Sequence, residues 1–68
     1  MKLRCTNIIK DYSHIFEKGK IYQSGAMAND SCMIAGDHPH KSHITWQGVK
    51  TVLGVTVLGI ATFTIIEE

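Results

Sequence analysis

The chain has 68 residues, a net charge of +1 and no long charged run. At this size it is a single domain, 1–68, whose one core is marginal on burial alone. The near-neutral balance gives no electrostatic footprint for nucleic acid and none for an acidic partner. Cys5 and Cys32 are too few for a disulfide framework. The first residues, Met-Lys-Leu-Arg-Cys-Thr-Asn, lack the apolar stretch of a signal peptide. A reducing cytoplasm is the expected compartment, with both thiols acting as small buried hydrophobes.

In chain order, Leu3-Arg4-Cys5-Thr6-Asn7 alternates with a period of two and predicts a first strand with Leu3 and Cys5 inward. Residues 8–16 place Ile8, Ile9, Tyr12, Ile15 and Phe16 at spacings of three and four, which fits either a short helix or a loop with one helical turn. The Lys18-Gly19 turn then leads into a second strand over residues 20–24, where Ile21 and Tyr22 suit a pleated, half-buried surface. Asn29-Asp30 is a turn signal, and Cys32-Met33-Ile34-Ala35 reads as a third strand. A polar loop is expected from Gly36 through Ser42, and a fourth strand over residues 43–47 with Ile44 and Trp46 on one side.

Residues 51–66 contain no charge, and ten of the sixteen are Val, Ile or Thr. As a helix they would span about 24 Å, short of the ~30 Å hydrocarbon core, and β-branched side chains favour strands. One or two strands are therefore expected in place of a membrane span. Ala61, Phe63 and Ile65 point inward, and Thr62 and Thr64 outward. In residues 49–58 one face carries Val49, Leu53, Val55 and Val57, a core face, and the other leaves Val52 and Leu58 outside. Either residues 8–16 cover these two, or they mark a homo-oligomer interface.

Several of these elements together resemble a known group. Cys5-Thr6-Asn7 ends the first strand, Lys18-Gly19-Lys20-Ile21-Tyr22 enters the second, a short strand runs over residues 32–35, and Ala61-Thr62-Phe63-Thr64-Ile65-Ile66-Glu67 closes the chain. This pattern is similar to the small SH3-like β-barrel proteins of bacteriophages and prophages, whose second strand begins with a KGK-x-Y element. The histidine-rich stretch at 37–43 and the apolar run at 49–59 depart from it. The resemblance implies an all-β, SH3-like barrel of about five strands with a short helical turn near residues 9–16. It implies a phage setting and no enzymatic activity.

Asp37-His38-Pro39-His40-Lys41-Ser42-His43 is the stretch closest to chemistry. Neutral imidazole is the commonest metal ligand, and Asp37, Cys32 or His14 would be the fourth group. Pro39 and the positive Lys41 sit inside the cluster, however, and no established ligand spacing supports a metal, so no metal or cofactor is assigned. Ser42, His43 and Asp37 are hydrolase-triad residue types too close in sequence to face one another. Paired carboxylates and a phosphate-binding glycine loop are missing, and the chain reads as no enzyme. A stacking surface for nucleic acid would use Tyr12, Phe16, Tyr22 and Trp46 with Lys18, Lys20, Lys41 and Lys50, yet Trp46, Tyr22 and Phe63 are needed for a core.

The sequence thus favours a non-catalytic accessory protein that binds, and inhibits, a host or phage protein by covering its surface. The contact residues are Tyr12, Phe16, Lys18, Lys20, Tyr22, His38, His40, Lys41 and His43, with an exposed strand edge as a further element, and Val52 and Leu58 at a homo-oligomer interface. Two alternatives remain. One is an oligomer that captures a small anionic ligand such as a nucleotide; the other is a small membrane protein spanning at 51–66.

Overall fold

A computed structural model describes residues 1–67, the side chain of His40 excepted. Six strands form: β1 (Lys2–Ile8), β2 (Ile21–Gln23), β3 (Ser31–His40), β4 (His43–Thr51), β5 (Gly54–Val57) and β6 (Ala61–Glu67), with one 3-10 turn at Lys10–Tyr12. They make one antiparallel sheet in the order β2-β1-β6-β5-β4-β3. The sheet curls until its ends nearly meet. Ser24, just past β2, bridges Ile34 of β3, and the Gly25 N–H donates to the Met33 carbonyl at 3.0 Å. The fold is the all-β, SH3-like barrel expected, with six strands in place of about five.

Alternation explains the core. Leu3 and Cys5 of β1, Tyr22 of β2, Cys32 and Ile34 of β3, Val55 and Val57 of β5, and Ala61 and Phe63 of β6 are buried. Both cysteines are free thiols among these residues. Ile15 and Phe16 come from the connection between β1 and β2, not from a strand, and both are fully buried. The Phe16 ring meets Tyr22, Trp46 and Phe63 edge-on, with centroids 5.1, 5.6 and 5.0 Å apart. Edge-to-face pairs are favourable by about 0.5–1.5 kcal/mol each beyond the area they bury. Phe16 is therefore the plug of the barrel, and Trp46 is only half-buried beside it.

Three expectations change. β3 does not stop at Ala35; it continues through Gly36, Asp37 and Pro39 to His40, with an irregularity in pairing between Ala35 and His40. The additional residues on β3 bend the strand without ending it, so the loop expected over 36–42 shrinks to Lys41 and Ser42. Leu53 is not in the core. β4 extends to Thr51, a two-residue turn holds Val52 and Leu53, and Leu53 is 76% exposed. Gly54 sets that turn: its φ is 132°, and a Cβ there would run into the Phe63 carbonyl oxygen. Finally, residues 8–16 do not cover Val52 or Leu58, which are 102% and 75% exposed. The uncharged run 51–66 is folded as β5, β6 and their turns, and no helix among the described residues is long and apolar enough to cross a membrane.

Candidate binding surface

The polar centre of the molecule is Asp37, where β3 passes the open seam beside β2. Gly36 lets it approach: a Cβ on Gly36 would lie 2.7 Å from both Ile15 Cγ2 and Trp46 Cζ3. With β3 this close, the Asp37 N–H donates to the Ile15 carbonyl at 2.7 Å. Its carboxylate accepts from Lys20 Nζ at 2.6 Å and from the Tyr22 hydroxyl at 2.6 Å. The Glu17 N–H donates in turn to Tyr22 Oη at 2.5 Å. One carboxylate thereby ties β2, β3 and the plug-bearing connection together where the backbone ladder is interrupted.

The electrostatics follow from this geometry. Hydrogen bonds from Lys20 and then Tyr22 hold the Asp37 carboxyl below the usual carboxylate range. The bond to Asp37 raises Lys20. Burial first, and the bond to Asp37 second, push the Tyr22 hydroxyl well above its ordinary value. Burial also raises the Cys5 thiol, which disfavours a reactive thiolate.

This architecture sorts the expected contact residues. Phe16 and Tyr22 are core side chains, so their rings offer no stacking surface. Lys20 is engaged by Asp37 and lies 5.5 Å from the Tyr22 ring centroid. Tyr12 is half-buried against the core, and Lys18 is exposed. His38, Lys41 and His43 are exposed together at the end of the β3–β4 hairpin. The His40 side chain lies outside the described residues; its backbone pairs with His43. Val52 and Leu58 fall in the turns at opposite ends of β5, so they do not form one patch.

At the hairpin tip, Lys41 and Ser42 both have positive φ, 50° and 72°. This is the handedness that a two-residue hairpin turn requires, and Asn or Gly normally supplies it. Asn29 and Asp30 meet the same requirement before β3, with φ of 53° and 61°. Lys41 and Ser42 adopt it at a cost on the order of 1 kcal/mol or more each.

Beside the seam lies a polar concavity of about 450 Å³, lined by Ser13, His14, Glu17, Lys20, Asp37 and His38. Its lysine is already neutralised by Asp37, and Glu17 adds a second carboxylate, which makes it a poor trap for an anion. Among the described residues no group of three or more His, Cys, Asp or Glu is gathered to hold a metal ion. Sequence reasoning missed Asp37 as the seam clamp and Ile44 as a 65% exposed apolar residue. Alternation places Ile44 on the same side of the strand as Trp46, and nothing local shows that β4 outruns the core there. Comparison of the chain with known protein families, characterised proteins and solved structures finds no match.

Proposed function

We propose that this chain is a small, non-catalytic accessory protein of the phage or prophage type that binds a host or phage protein in the host cytoplasm and inhibits it by covering one of its surfaces. The observation that supports this reading most is the β3–β4 hairpin tip. It presents Lys41 to solvent on a turn whose backbone is held in an unfavourable region by the strands behind it, with His43 exposed just after the turn and His38 exposed on the strand before it. Backbone strain maintained at an exposed tip is a recurrent mark of a contact site. The Asp37 clamp fixes the base of that hairpin against the barrel, so the tip is presented with little entropy left to lose on binding.

The test is affinity capture from phage-infected host cells with wild-type protein and with Lys41→Glu/His43→Ala. The captured protein is then purified and titrated. A single stoichiometric partner whose affinity drops about tenfold or more in the double variant supports the reading, since a central contact is worth roughly 1.4 kcal/mol or more. Equal binding by both forms would refute it.

A further inference from the structure

Between Ile9 and Gly19 the chain runs beside the sheet without joining it, with one 3-10 turn at Lys10–Tyr12. Most of its side chains are polar and exposed. Its load on the core is Ile15 and Phe16, two of the eleven hydrophobic residues buried among those described, with Tyr12 half-buried beside them. Both ends are fastened to the barrel. The Ile9 N–H donates to the Ile60 carbonyl at 2.8 Å, and the Gly19 N–H to the Cys5 carbonyl at 2.7 Å.

Between those ends, one backbone–backbone hydrogen bond among the described residues links the stretch to a strand, from the Asp37 N–H to the Ile15 carbonyl at 2.7 Å. The others stay within it: Tyr12 N–H to Ile9, Ser13 N–H to Lys10 and Ile15 N–H to Tyr12. A second tie runs from the Glu17 N–H to the Tyr22 hydroxyl oxygen at 2.5 Å. That hydroxyl is aimed by its own donation to the Asp37 carboxylate. Asp37 thus holds the middle of the connection twice, directly by its backbone and through Tyr22.

We propose that residues 10–18 are a latch that lifts as a unit while the six strands stay paired, with Ile9 and Gly19 as its hinges and Asp37 as its catch. Gly19 suits a hinge: its φ is 90° and a Cβ there would meet nothing within 4 Å, so the backbone can turn without displacing a neighbour. Lifting withdraws the Phe16 ring from Tyr22, Trp46 and Phe63 and breaks the ties to Asp37 and Tyr22. Global unfolding gives up the whole ladder and all eleven buried side chains. The latch therefore opens at a lower free energy than the chain unfolds, as segments holding few of the buried contacts do. Its open form bares an apolar chamber walled by Tyr22, Trp46 and Phe63.

Two buried thiols report on this from different places. Cys5 faces Phe63 across the β1–β6 ladder, and its backbone bonds to Gly19 and Lys20 at the hinge. Cys32 lies at the far end of β3 from Asp37, paired with Gly48.

Iodoacetamide alkylation of the native protein, followed site by site by peptide mass spectrometry, measures the opening. Each rate is divided by that of the same thiol in the urea-unfolded chain. Cys5 should react about tenfold or more faster than Cys32 and stay flat in dilute urea, because a lifted latch exposes little surface. The Cys32 rate should climb with urea along the global slope. In amide exchange, the Asp37 and Glu17 N–H groups should share one protection, below that of the β1–β6 ladder. Asp37→Ala should speed Cys5 alkylation by about tenfold, the loss of a charged hydrogen-bond acceptor. A Cys5 rate no faster than that of Cys32, with the same urea dependence, would overturn the latch. So would an Asp37 amide that exchanges with the ladder rather than with Glu17, or a Cys5 rate unchanged in Asp37→Ala.

Discussion

Replacing Asp37 by alanine tests the account of the barrel seam. The change removes the acceptor for the buried Tyr22 hydroxyl and for Lys20 while leaving the Asp37 backbone bond to Ile15 available. A hydrogen bond to a charged group contributes about 1.5–3 kcal/mol. The Asp37 side chain is 26% exposed, which draws this one to the lower end. Lys20 is half in solvent and its ion pair is screened, so it adds little. The expected loss is about 1.5–2 kcal/mol, which in a domain of this length lowers Tm by roughly 6–16 °C. Asp37→Asn, which keeps a neutral acceptor, should lose about half as much by the same scale. Thermal and urea melts followed by circular dichroism measure both. A double-mutant cycle with Tyr22→Phe separates the shared bond from side effects, and a coupling of about 1 kcal/mol is expected. Asp37→Ala melting within a degree or two of wild type, or strict additivity with Tyr22→Phe, would refute the clamp.

The same carboxylate sets a pH dependence. Its pKa is depressed in the folded protein, so its contribution is complete above the ordinary carboxylate value, near 4, and is lost as pH falls through the folded value. The Tm gap between wild type and Asp37→Asn should be widest at pH 6–7 and close in acid; a gap that persists at about pH 2 would contradict this. Phe16→Ala, which empties the plug, should cost about 3–5 kcal/mol, comparable to the whole stability of a small domain, and Phe16→Leu clearly less; a cooperative melt near the wild-type Tm in the alanine variant would show that the ring is dispensable. Leu53→Ser should alter stability by no more than about 0.5 kcal/mol, because the side chain projects from a turn. A loss of 2 kcal/mol or more would restore Leu53 to a core.

The elements that could be read from the sequence are those in which local preference and burial agree. β1 and β6 alternate cleanly, and Asn29-Asp30 supplies a turn whose positive φ values those residues tolerate. The sequence predicts a β3 shorter than the one observed because Gly36 and Pro39 are breakers by local chemistry. Only the packing of Gly36 against Ile15 and Trp46 shows why a strand passes there. Leu53 cannot be placed by periodicity because residues 49–58 are apolar on both faces, so period two fixes no phase; the phase is set at Gly54 by the Phe63 backbone, nine residues away. Asp37 reads locally as the opening of a loop, since its partners Lys20 and Tyr22 lie 17 and 15 residues upstream. Among the expected contact residues, the exposed stretch around Lys41 is legible from its polarity, and the need for large core side chains already points Tyr22 inward; Phe16 is the ring that the sequence does not place. Phe16 has no strand pattern around it to betray its burial.

The strand order has a consequence for how the chain acquires its structure. β1 sits between β2 and β6, so Lys2 pairs with Glu67 and Leu3 with Ile65. β1 must wait for β6, the last of the six strands in chain order, and closing that long loop precedes any reward from the contacts it creates. Until then β1 can dock only on three-residue β2, while the β3–β4 hairpin, built from neighbouring sequence around a two-residue turn, forms early and alone. Folding should accordingly be slow for so short a chain, and its late step is the arrival of β6 along the flank of β1.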